Sequence, residues 1–344
     1  MTVDASSYNS DGAFHFGEMV LTPDDATLAP LHLPIAVRVQ PPTIAASPAP
    51  LTISIPNGNT TAGAPLTVTN VGGPTLSVTN TNSSSTGTTV LLDQVSQGNF
   101  GFYSDLFTDF AHGFYAADDF ETNAASTNLS KLSFPGFMTG ADPLSELPGT
   151  KIHFEVYTDN AGIPNGNPET VAPSYVYSFV ATTGTTNGLN VANDTISIDL
   201  NTAGAPASAL PPGKYWIVVW PELPYANGPW VWFESETALG YNAHNIDPAG
   251  IGGTNTAWTD NTVGGDFPGM AVHLEGQVAC GAPWISTTPS TLSLDGKLSD
   301  TVTVTADSTQ FPVPGPGTAT AFVCLDSNDA ATPVLAVKVE ATQN

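Results

Sequence analysis

The stretch KYWIVVWPELPYANGPWVWF, residues 214–233, sets the fold class of this chain. In an extended strand, its first part would point Tyr215, Ile217 and Val219 to one face and the alternate residues to the other. The turn formers of PELPYANGP then reverse the chain, and WVWF alternates again. Strict alternation is typical of β-strands, whereas apolar residues of a helix recur at every third or fourth position. The stretch therefore predicts a β-hairpin.

The same alternation recurs along the whole chain. It is present in LTISI (51–55), KIHFEVY (151–157), TISIDL (195–200) and TVTVT (301–305). Clusters of turn formers such as PNGN, VGGP, LPPGK and GPGT separate these segments. The nearest approach to a helical repeat is DLFTDFAHGF, and Gly113 interrupts it. The sequence thus predicts an all-β chain built from sandwiches or rolls.

Length and composition support several packed domains. The 344 residues exceed one typical domain and suit two or three. Hydrophobic residues make up 41% of the chain, which is enough to form cores and excludes wholesale disorder. The 32 glycines and 30 prolines follow no collagen-like period, so they indicate many turns.

The charge balance limits the partners. With 6 Lys and Arg against 31 Asp and Glu, the formal net charge is -25. Such a surface repels phosphate backbones, so we expect no nucleic-acid partner. No segment reaches the roughly 18 apolar residues of a membrane span, so we expect no membrane insertion. The acidity favours either attraction of cations such as calcium or simple solubility outside a cell. The scarcity of lysine and the abundance of small polar residues predict an extracellular protein.

The two cysteines, Cys280 and Cys324, predict a disulfide. Two cysteines cannot form a cysteine-only zinc site, and in an exported protein a pair is normally oxidised. Strands from opposite ends of a small sandwich can approach to disulfide distance. Closing a loop of this length would stabilise the module by about 4 kcal/mol in the chain-entropy description. A reactive thiol is the functional alternative.

The chain begins much as it ends. VLTPDDATLAPLHLPIAVRV (20–39) and VCLDSNDAATPVLAVKV (323–339) share an acidic turn, a proline and a closing alternating strand. Because two strands cannot bury a core alone, residues 1–40 are interpreted as the last hairpin of a sandwich whose earlier strands are absent. Alternatively, residues 42–82 complete that first sandwich in another strand order, since PTIAASPAPLTISI resembles PWISTTPSTLSL in spacing.

One acidic segment is a candidate calcium site. In AADDFET, the carboxylates of Asp118, Asp119 and Glu121 adjoin the start of a strand. Calcium takes six to eight hard oxygen ligands, and jelly rolls can hold a structural ion where a strand meets a loop. The alternative is a solvated turn. A second acidic loop, YTDNAGIPNGNP, does not match the ligand spacing of an EF-hand and is interpreted as a turn.

The aromatic residues are a candidate ligand surface. A flat row of indoles can stack against the apolar face of a sugar ring, so the sequence supports a polysaccharide site. Paired aromatic side chains across a hairpin are equally an ordinary form of sheet packing. The residues that would form the surface are Trp216, Trp220, Trp230, Trp232, Tyr241 and Trp258.

The sequence contains no recognisable catalytic site. It has neither a Gly-x-Ser-x-Gly elbow nor a His-Glu-x-x-His motif. His153 and His273 occur in alternating strand patterns, where a lone histidine is usually structural, and His112 and His244 occur in predicted loops. We therefore expect a protein that is not an enzyme, although a distant pair of carboxylates for glycoside cleavage would leave no motif.

Three stretches resemble parts of secreted bacterial proteins. PWISTTPSTLSL, TVTVTADST and GTATAFVCLDSNDAATPVLAVKV together resemble the Ig-like modules at the C-termini of such proteins. GEMVLTPDDATLAPLHLPIAVRV resembles the end of the fibronectin-like domain that follows the catalytic domain in large secreted subtilisin-like serine peptidases. AADDF, YTDNAGIPNG, LPPGKYWIVVWP and WVWF resemble a jelly-roll accessory domain found beside these modules. The catalytic Asp, His and Ser motifs of the peptidases are missing from this sequence.

The resemblance implies tandem sandwich modules around a larger jelly-roll-like sandwich. Residues 1–40 would be the C-terminal strands of a partial fibronectin-like module, and 41–89 a β segment with a polar link. Residues 90–278 would form the jelly roll, and 279–344 the Ig-like module. The implied function is a non-catalytic accessory region of a secreted peptidase that serves adhesion, approach to a protein substrate or stability.

Two other functions are compatible with the sequence. A surface or filament-forming protein would use the incomplete first module to accept a strand from another molecule, which is self-association by strand exchange. A carbohydrate-binding module would use the tryptophan hairpin. The sequence requires no cofactor beyond a structural Ca2+.

Overall fold

The fold is nearly all β. A computed structural model describes residues 14–21, 30–38, 40–81, 86–98, 100–124, 126–170, 174–252, 255–313 and 315–344. Strands account for 55% of the structure, and the described helical residues are confined to short 3-10 segments. This confirms the predicted fold class. Parts of the predicted 1–40 module (1–13 and 22–29) and of the polar link (82–85) lie outside the described residues.

The strands are numbered in chain order. They are β1 (Phe14–Leu21), β2 (Leu31–Arg38), β3 (Ile44–Ser47), β4 (Leu51–Ile55), β5 (Thr61–Asn70), β6 (Leu76–Thr81), β7 (Thr86–Gln94), β8 (Gly101–Tyr103), β9 (Asp105–Phe107), β10 (His112–Thr122), β11 (Thr127–Phe134), β12 (Gly136–Met138), β13 (Lys151–Thr158), β14 (Tyr177–Thr182), β15 (Leu189–Ala192), β16 (Thr195–Asp199), β17 (Gly213–Leu223), β18 (Trp230–Ser235), β19 (His244–Ile246), β20 (Thr259–Asp260), β21 (Gly269–Met270), β22 (Val272–Ala279), β23 (Ile285–Thr288), β24 (Thr291–Leu294), β25 (Ser299–Asp307), β26 (Gly317–Ser327) and β27 (Val334–Gln343). The 3-10 segments are Leu144–Glu146, Tyr225–Asn227, Asn261–Gly264 and Ser308–Gln310.

The chain folds into two compact units. The split unit comprises the described residues of Met1–Gly87 together with Cys280–Asn344, and the central unit is Thr88–Ala279. The predicted start and end of the jelly-roll domain, residues 90 and 278, fall close to these boundaries. Within the described part of the chain, no helix is long and apolar enough to cross a membrane.

The first two strands form a hairpin. β1 pairs antiparallel with β2, from Phe14 opposite Arg38 to Leu21 opposite Leu31. Among the described residues these two strands form a sheet of their own. The hairpin predicted within residues 1–40 is therefore present as an antiparallel strand pair.

Both chain segments of the split unit contribute to one sandwich. One sheet has the order β23-β25-β5-β3, and the other places β24, β6, β26 and β27 in order with β4 parallel to β27. Residues of all these strands pack into a single core. Leu66 of β5 pairs with Val302 of β25, and both are fully buried.

This arrangement differs from the predicted division into a 41–89 segment and a separate 279–344 module. Each segment supplies strands to both sheets, because β3 and β5 pair into the sheet of β23 and β25, and β4 and β6 pair into the sheet of β24, β26 and β27. The likeness between PTIAASPAPLTISI and PWISTTPSTLSL has a structural counterpart. β3 and β23 occupy opposite edges of one sheet, and each is followed by a strand of the other sheet.

The disulfide joins Cys280 and Cys324 with a Cα–Cα distance of 5.6 Å. Cys324 lies in β26 and is fully buried, and Cys280 is 6% exposed. Gly87 fits beside this bond because a Cβ there would lie only 2.6 Å from the Cys324 sulfur. The predicted disulfide is confirmed, and the alternative of a reactive thiol is wrong.

The central unit is a larger sandwich. One sheet has the order β14-β13-β17-β9-β10-β19-β20, and β17 also pairs with β10. The facing layer contains β15, β16, β11, β22 and β7 in order, together with the small sheet around β18. The core between the layers includes Phe134, Phe154, Trp230 and Trp232. A second apolar cluster lies on the opposite face of the first sheet, which we call the outer face, and it is built around Trp216 and Trp220.

Candidate ligand-binding pocket

The strand register creates a depression on the outer face of the central unit. β17 pairs with β10 and with β13, so Val218 lies opposite both Ala117 and Glu155. Ala117 and Val218 are small and fully buried. Because alternate residues of paired strands share a face, these three side chains form one row across the sheet. Because two of these three side chains are small, there is free space over the row on the outer face. Glu155 is the one polar residue of the row.

Large rings flank this row. In the register of β13 and β17, Tyr157 lies opposite Trp216, and His153 lies opposite Trp220. The His153 and Trp220 rings are stacked, with centroids 4.9 Å apart and an interplanar angle of 6°. Tyr115 of β10 contacts Trp220 edge-on at 5.3 Å. The rings therefore form rigid walls on two sides of the space above Glu155.

The pKa of Glu155 lies close to neutral pH. Burial raises the pKa of its carboxyl to about 7, although the hydrogen bond that the Tyr157 hydroxyl donates to Oε2 opposes this shift. No described residue donates a hydrogen bond to the second oxygen, Oε1. Near neutral pH this carboxyl can therefore either donate a proton in a hydrogen bond or accept one.

His153 is held as a neutral ring. Burial lowers its pKa, and the neighbouring Glu222 only partly offsets this effect. The pKa of Glu222 is itself held below its usual range by its hydrogen bonds with His153 and Lys151, so Glu222 is ionised. Nε2 of His153 therefore donates to Oε1 of Glu222 at 2.8 Å, which leaves Nδ1 as an acceptor.

Glu169 fixes the opposite wall. It follows the long turn after β13, and its Oε1 accepts hydrogen bonds from the Gly113 backbone N–H at 2.7 Å and the Tyr115 hydroxyl at 3.2 Å. Its Oε2 lies 2.9 Å from Nδ1 of His112, which donates to the carboxylate. The Asn167 side chain accepts a hydrogen bond from the Glu169 backbone N–H and holds the turn. Glu169 thus ties the turn to the beginning of β10.

Together these groups enclose a cavity of about 360 Å3, which we call the Glu155 pocket. This volume lies within the usual range of small-molecule sites, about 300–1,000 Å3. Its lining combines apolar surface, aromatic rings and groups that hydrogen-bond in both directions. The residues are Leu106, Ala111, His112, Tyr115, His153, Glu155, Pro168, Glu169 and Trp220.

The structure does not form the predicted tryptophan surface. Trp230 and Trp232 are fully buried between the two layers, and their indole N–H groups donate to the backbone oxygens of Asp194 and Ala271. Trp216 faces the outer side as predicted, but it too is fully buried, and Tyr241 stacks over it at 6.1 Å. These rings are therefore packing elements.

Two other predicted aromatic residues serve different purposes. Trp258 donates its indole N–H to the backbone oxygen of Gly166 at 2.6 Å and so fastens the turn after β13. Trp220 is 3% exposed and is the one predicted aromatic residue that lines the Glu155 pocket. The predicted surface thus contributes a single wall to the pocket.

The structure also separates the predicted calcium ligands. Asp118 and Asp119 are neighbours in a strand, so their side chains point to opposite faces. Asp118 is buried among groups of the core, and its Oδ2 accepts hydrogen bonds from Gln94 and from the Met270 backbone, each at 2.6 Å. Asp119 and Glu121 belong to the other face, where the Tyr241 backbone N–H donates to Asp119 at 2.7 Å. Among the described residues, no three His, Cys, Asp or Glu side chains are placed to hold a metal ion.

The sequence analysis did not identify the two carboxylates of the pocket, Glu155 and Glu169. Glu155 stands within an alternating strand pattern, and the structure places it on the less crowded face of that strand. Glu169 directly follows the segment YTDNAGIPNGNP, which the sequence analysis interpreted as a turn, and its partner Gly113 is 56 residues away. Because Lys151 and His153 share a face with Glu155 in KIHFEVY, the alternating pattern gave no signal that set Glu155 apart.

No protein-family model matches the chain, and no curated protein matches it. The resemblance to accessory regions of secreted peptidases therefore stays a prediction.

Proposed function

We propose that the chain is a non-catalytic extracellular accessory region and that its central unit binds a polyhydroxylated ligand, such as a sugar unit, in the Glu155 pocket. The observation that carries this proposal is a cavity whose free polar groups act as both donor and acceptor. A sugar hydroxyl also donates and accepts, so it can satisfy Glu155 Oε1 and Nδ1 of His153 together. The apolar lining and the ring of Tyr115 suit the C–H face of such a ligand.

The remaining features support an extracellular setting. The Cys280–Cys324 disulfide is typical of oxidising compartments. The formal net charge of -25 favours solubility and disfavours anionic partners such as nucleic acids. Neither the disulfide nor the acidic charge requires a reaction to take place in the Glu155 pocket. The proposed role is therefore to bind a polymer and hold it near another domain or a surface.

A titration with oligosaccharides tests the binding. A panel of cello-, xylo-, manno- and galacto-oligosaccharides is added to the full chain, and binding is followed by calorimetry and tryptophan fluorescence. We expect one class to bind and the Glu155→Gln variant to bind it at least tenfold more weakly. The substitution keeps the size of the side chain, and the new amide oxygen can still accept from Tyr157. The matched control is Glu146→Gln, because Glu146 is exposed and outside the pocket.

Two results would overturn the proposal. One is equal binding by wild type and Glu155→Gln, which would place the ligand elsewhere. The other is cleavage of the oligosaccharide by the wild type that disappears in Glu155→Gln, which would make the central unit a glycoside hydrolase.

Self-association is a second candidate function, and the β1–β2 hairpin favours it. Within the described residues this hairpin is a sheet of two strands, and strand edges readily pair with other chains. Val20 on β1 is 47% exposed. Sedimentation velocity at rising protein concentration should then show assembly, and the Val20→Lys variant should assemble more weakly. The control is Val313→Lys, which should assemble like the wild type, because Val313 is 78% exposed in the other segment of the split unit. A monomer at all concentrations contradicts this role.

A further inference from the structure

A second cavity lies beside the Glu155 pocket and has a different chemistry. Its volume is about 330 Å3, and we call it the Asp247 pocket. Phe102, Tyr103 and Phe114 form aromatic walls, and Asp247 supplies a carboxyl group. The rings of Tyr103 and Phe114 have centroids 6.0 Å apart and are tilted by 60°, so they present two faces at an angle. Aromatic faces carry partial negative charge and attract cations.

The carboxyl group of Asp247 is incompletely satisfied. Asp247 is 3% exposed, and its Oδ2 accepts one hydrogen bond, from the Gly252 backbone N–H at 2.8 Å. Its Oδ1 is buried and has no hydrogen-bond partner among the described residues. Burying a carboxylate oxygen without a donor is unfavourable, and such groups in native proteins usually have a ligand or a structural reason.

The lysines of the chain are engaged away from Asp247. The sequence has only 6 Lys and Arg, and its five lysines contact other groups. Lys131, Lys151 and Lys338 pair with Glu275, Glu222 and Glu340, Lys214 lies over the Tyr241 ring, and Lys297 donates to the Val71 oxygen. None of these lysines neutralises Asp247, so a cationic ligand would complement this carboxyl group and its aromatic walls.

The backbone keeps the cavity open. A Cβ on Gly252 would lie 2.6 Å from the Phe114 ring and 3.9 Å from Oδ2 of Asp247, so a side chain at this position would fill the space between them. The neighbouring amides are held in place, because Asn255 donates to Asn245 at 2.8 Å and Asn245 donates to Asn261 at 3.0 Å. Their orientation leaves Oδ1 of Asn255 as a further acceptor at the cavity.

We propose that the Asp247 pocket binds a primary alkylammonium group. Three N–H donors on one cationic nitrogen can satisfy Asp247 and Asn255 while the aromatic rings surround the alkyl stem. The group could belong to a small free amine or to a lysine side chain of a protein, and the strongly acidic chain attracts both. Tyr115 lines both cavities, but Asp247, Asn255 and Tyr103, on which this proposal rests, do not line the Glu155 pocket.

The test uses paired ligands that differ in charge. N-acetyl-lysine methylamide, its neutral analogue N-acetyl-norleucine methylamide and butylammonium are titrated into the full chain by calorimetry and saturation-transfer NMR. We expect both ammonium compounds to bind at least tenfold more tightly than the norleucine compound. An equal affinity for the lysine compound and butylammonium means that a free amine suffices, whereas tighter binding of the lysine compound points to a protein ligand.

Three variants locate the site. Asp247→Asn should weaken ammonium binding at least tenfold, and Gly252→Ala should weaken it by narrowing the cavity. Tyr103→Leu removes one wall, and because Tyr103 is 47% exposed the fold should persist. Asp300→Asn, an exposed acid of the split unit, makes the same charge change as a control. Unchanged binding in Asp247→Asn and Tyr103→Leu, or equal binding of the neutral compound, would overturn the proposal.

Discussion

The imidazole of His153 lies parallel to the indole of Trp220, with their ring centroids 4.9 Å apart. The two residues are directly paired across β13 and β17, so the backbone register itself imposes the contact. The stack buries His153 and keeps it neutral, while Glu222 fixes its tautomer. A histidine that looked like an ordinary strand residue thus supplies both a wall and an acceptor to the pocket.

The titration of His153 should follow from this burial. We expect its pKa to lie below 6.5 and to fall further in Glu222→Gln, because Glu222 partly opposes the effect of burial. The imidazole resonances in a two-dimensional NMR titration measure both values. A pKa at or above 6.5 in the wild type, or a rise in the variant, contradicts the described environment.

Asp118 should make the central unit less stable at high pH. Burial raises its pKa to about 8 in the folded state, against about 3.9 for an unfolded chain. Between these values the folded state holds a proton that the unfolded state releases, so stability falls as pH rises. The slope from this one group approaches about 1.4 kcal/mol per pH unit.

Urea unfolding at pH 5, 6, 7 and 8 measures this slope through tryptophan fluorescence. Of the 6 tryptophans, all but Trp284 lie in the central unit, so the signal reports mainly on that unit. Asp118→Asn should flatten the dependence on pH. A variant with the slope of the wild type would show that other groups cause it.

The disulfide should stabilise only the split unit. It closes a loop of 44 residues, which corresponds to about 4 kcal/mol in the chain-entropy description. The double variant Cys280→Ala and Cys324→Ala should therefore unfold its split unit at much lower urea. Trp284 packs against Phe311 in that core. Its fluorescence reports the unfolding transition of the split unit once the signal of the other tryptophans has been subtracted. An unchanged transition in the double variant would contradict this expectation.

Trp232 should behave as a core residue. It is fully buried, contacts Phe134 edge-on at 5.3 Å and donates to the Ala271 backbone oxygen. Trp232→Ala should lower the free energy of unfolding by about 3–5 kcal/mol, as is usual for large-to-small changes in cores. Under conditions where the variant is still folded, we expect its oligosaccharide affinity to be unchanged. A stable variant that loses binding would instead support the tryptophan surface.

The alternating pattern predicted the strands and the shared face of Trp216 and Trp220 correctly. It could not predict whether that face is exposed, because Tyr241 and the turn after β13 cover it from positions far along the sequence. Alternation alone also places Asp118 and Asp119 on opposite faces, which the calcium hypothesis overlooked. The Glu155 pocket depends on Glu169 meeting Gly113, and a contact of that kind has no local sequence signal.

The split unit has a consequence for synthesis on the ribosome. Its first strands leave the exit tunnel before the central unit, yet their partners β23 to β27 are translated after it. Until then the apolar residues of β4 and β5 have no complete core to enter. The central unit can fold during this interval, whereas the split unit cannot complete its core until β27 has been translated.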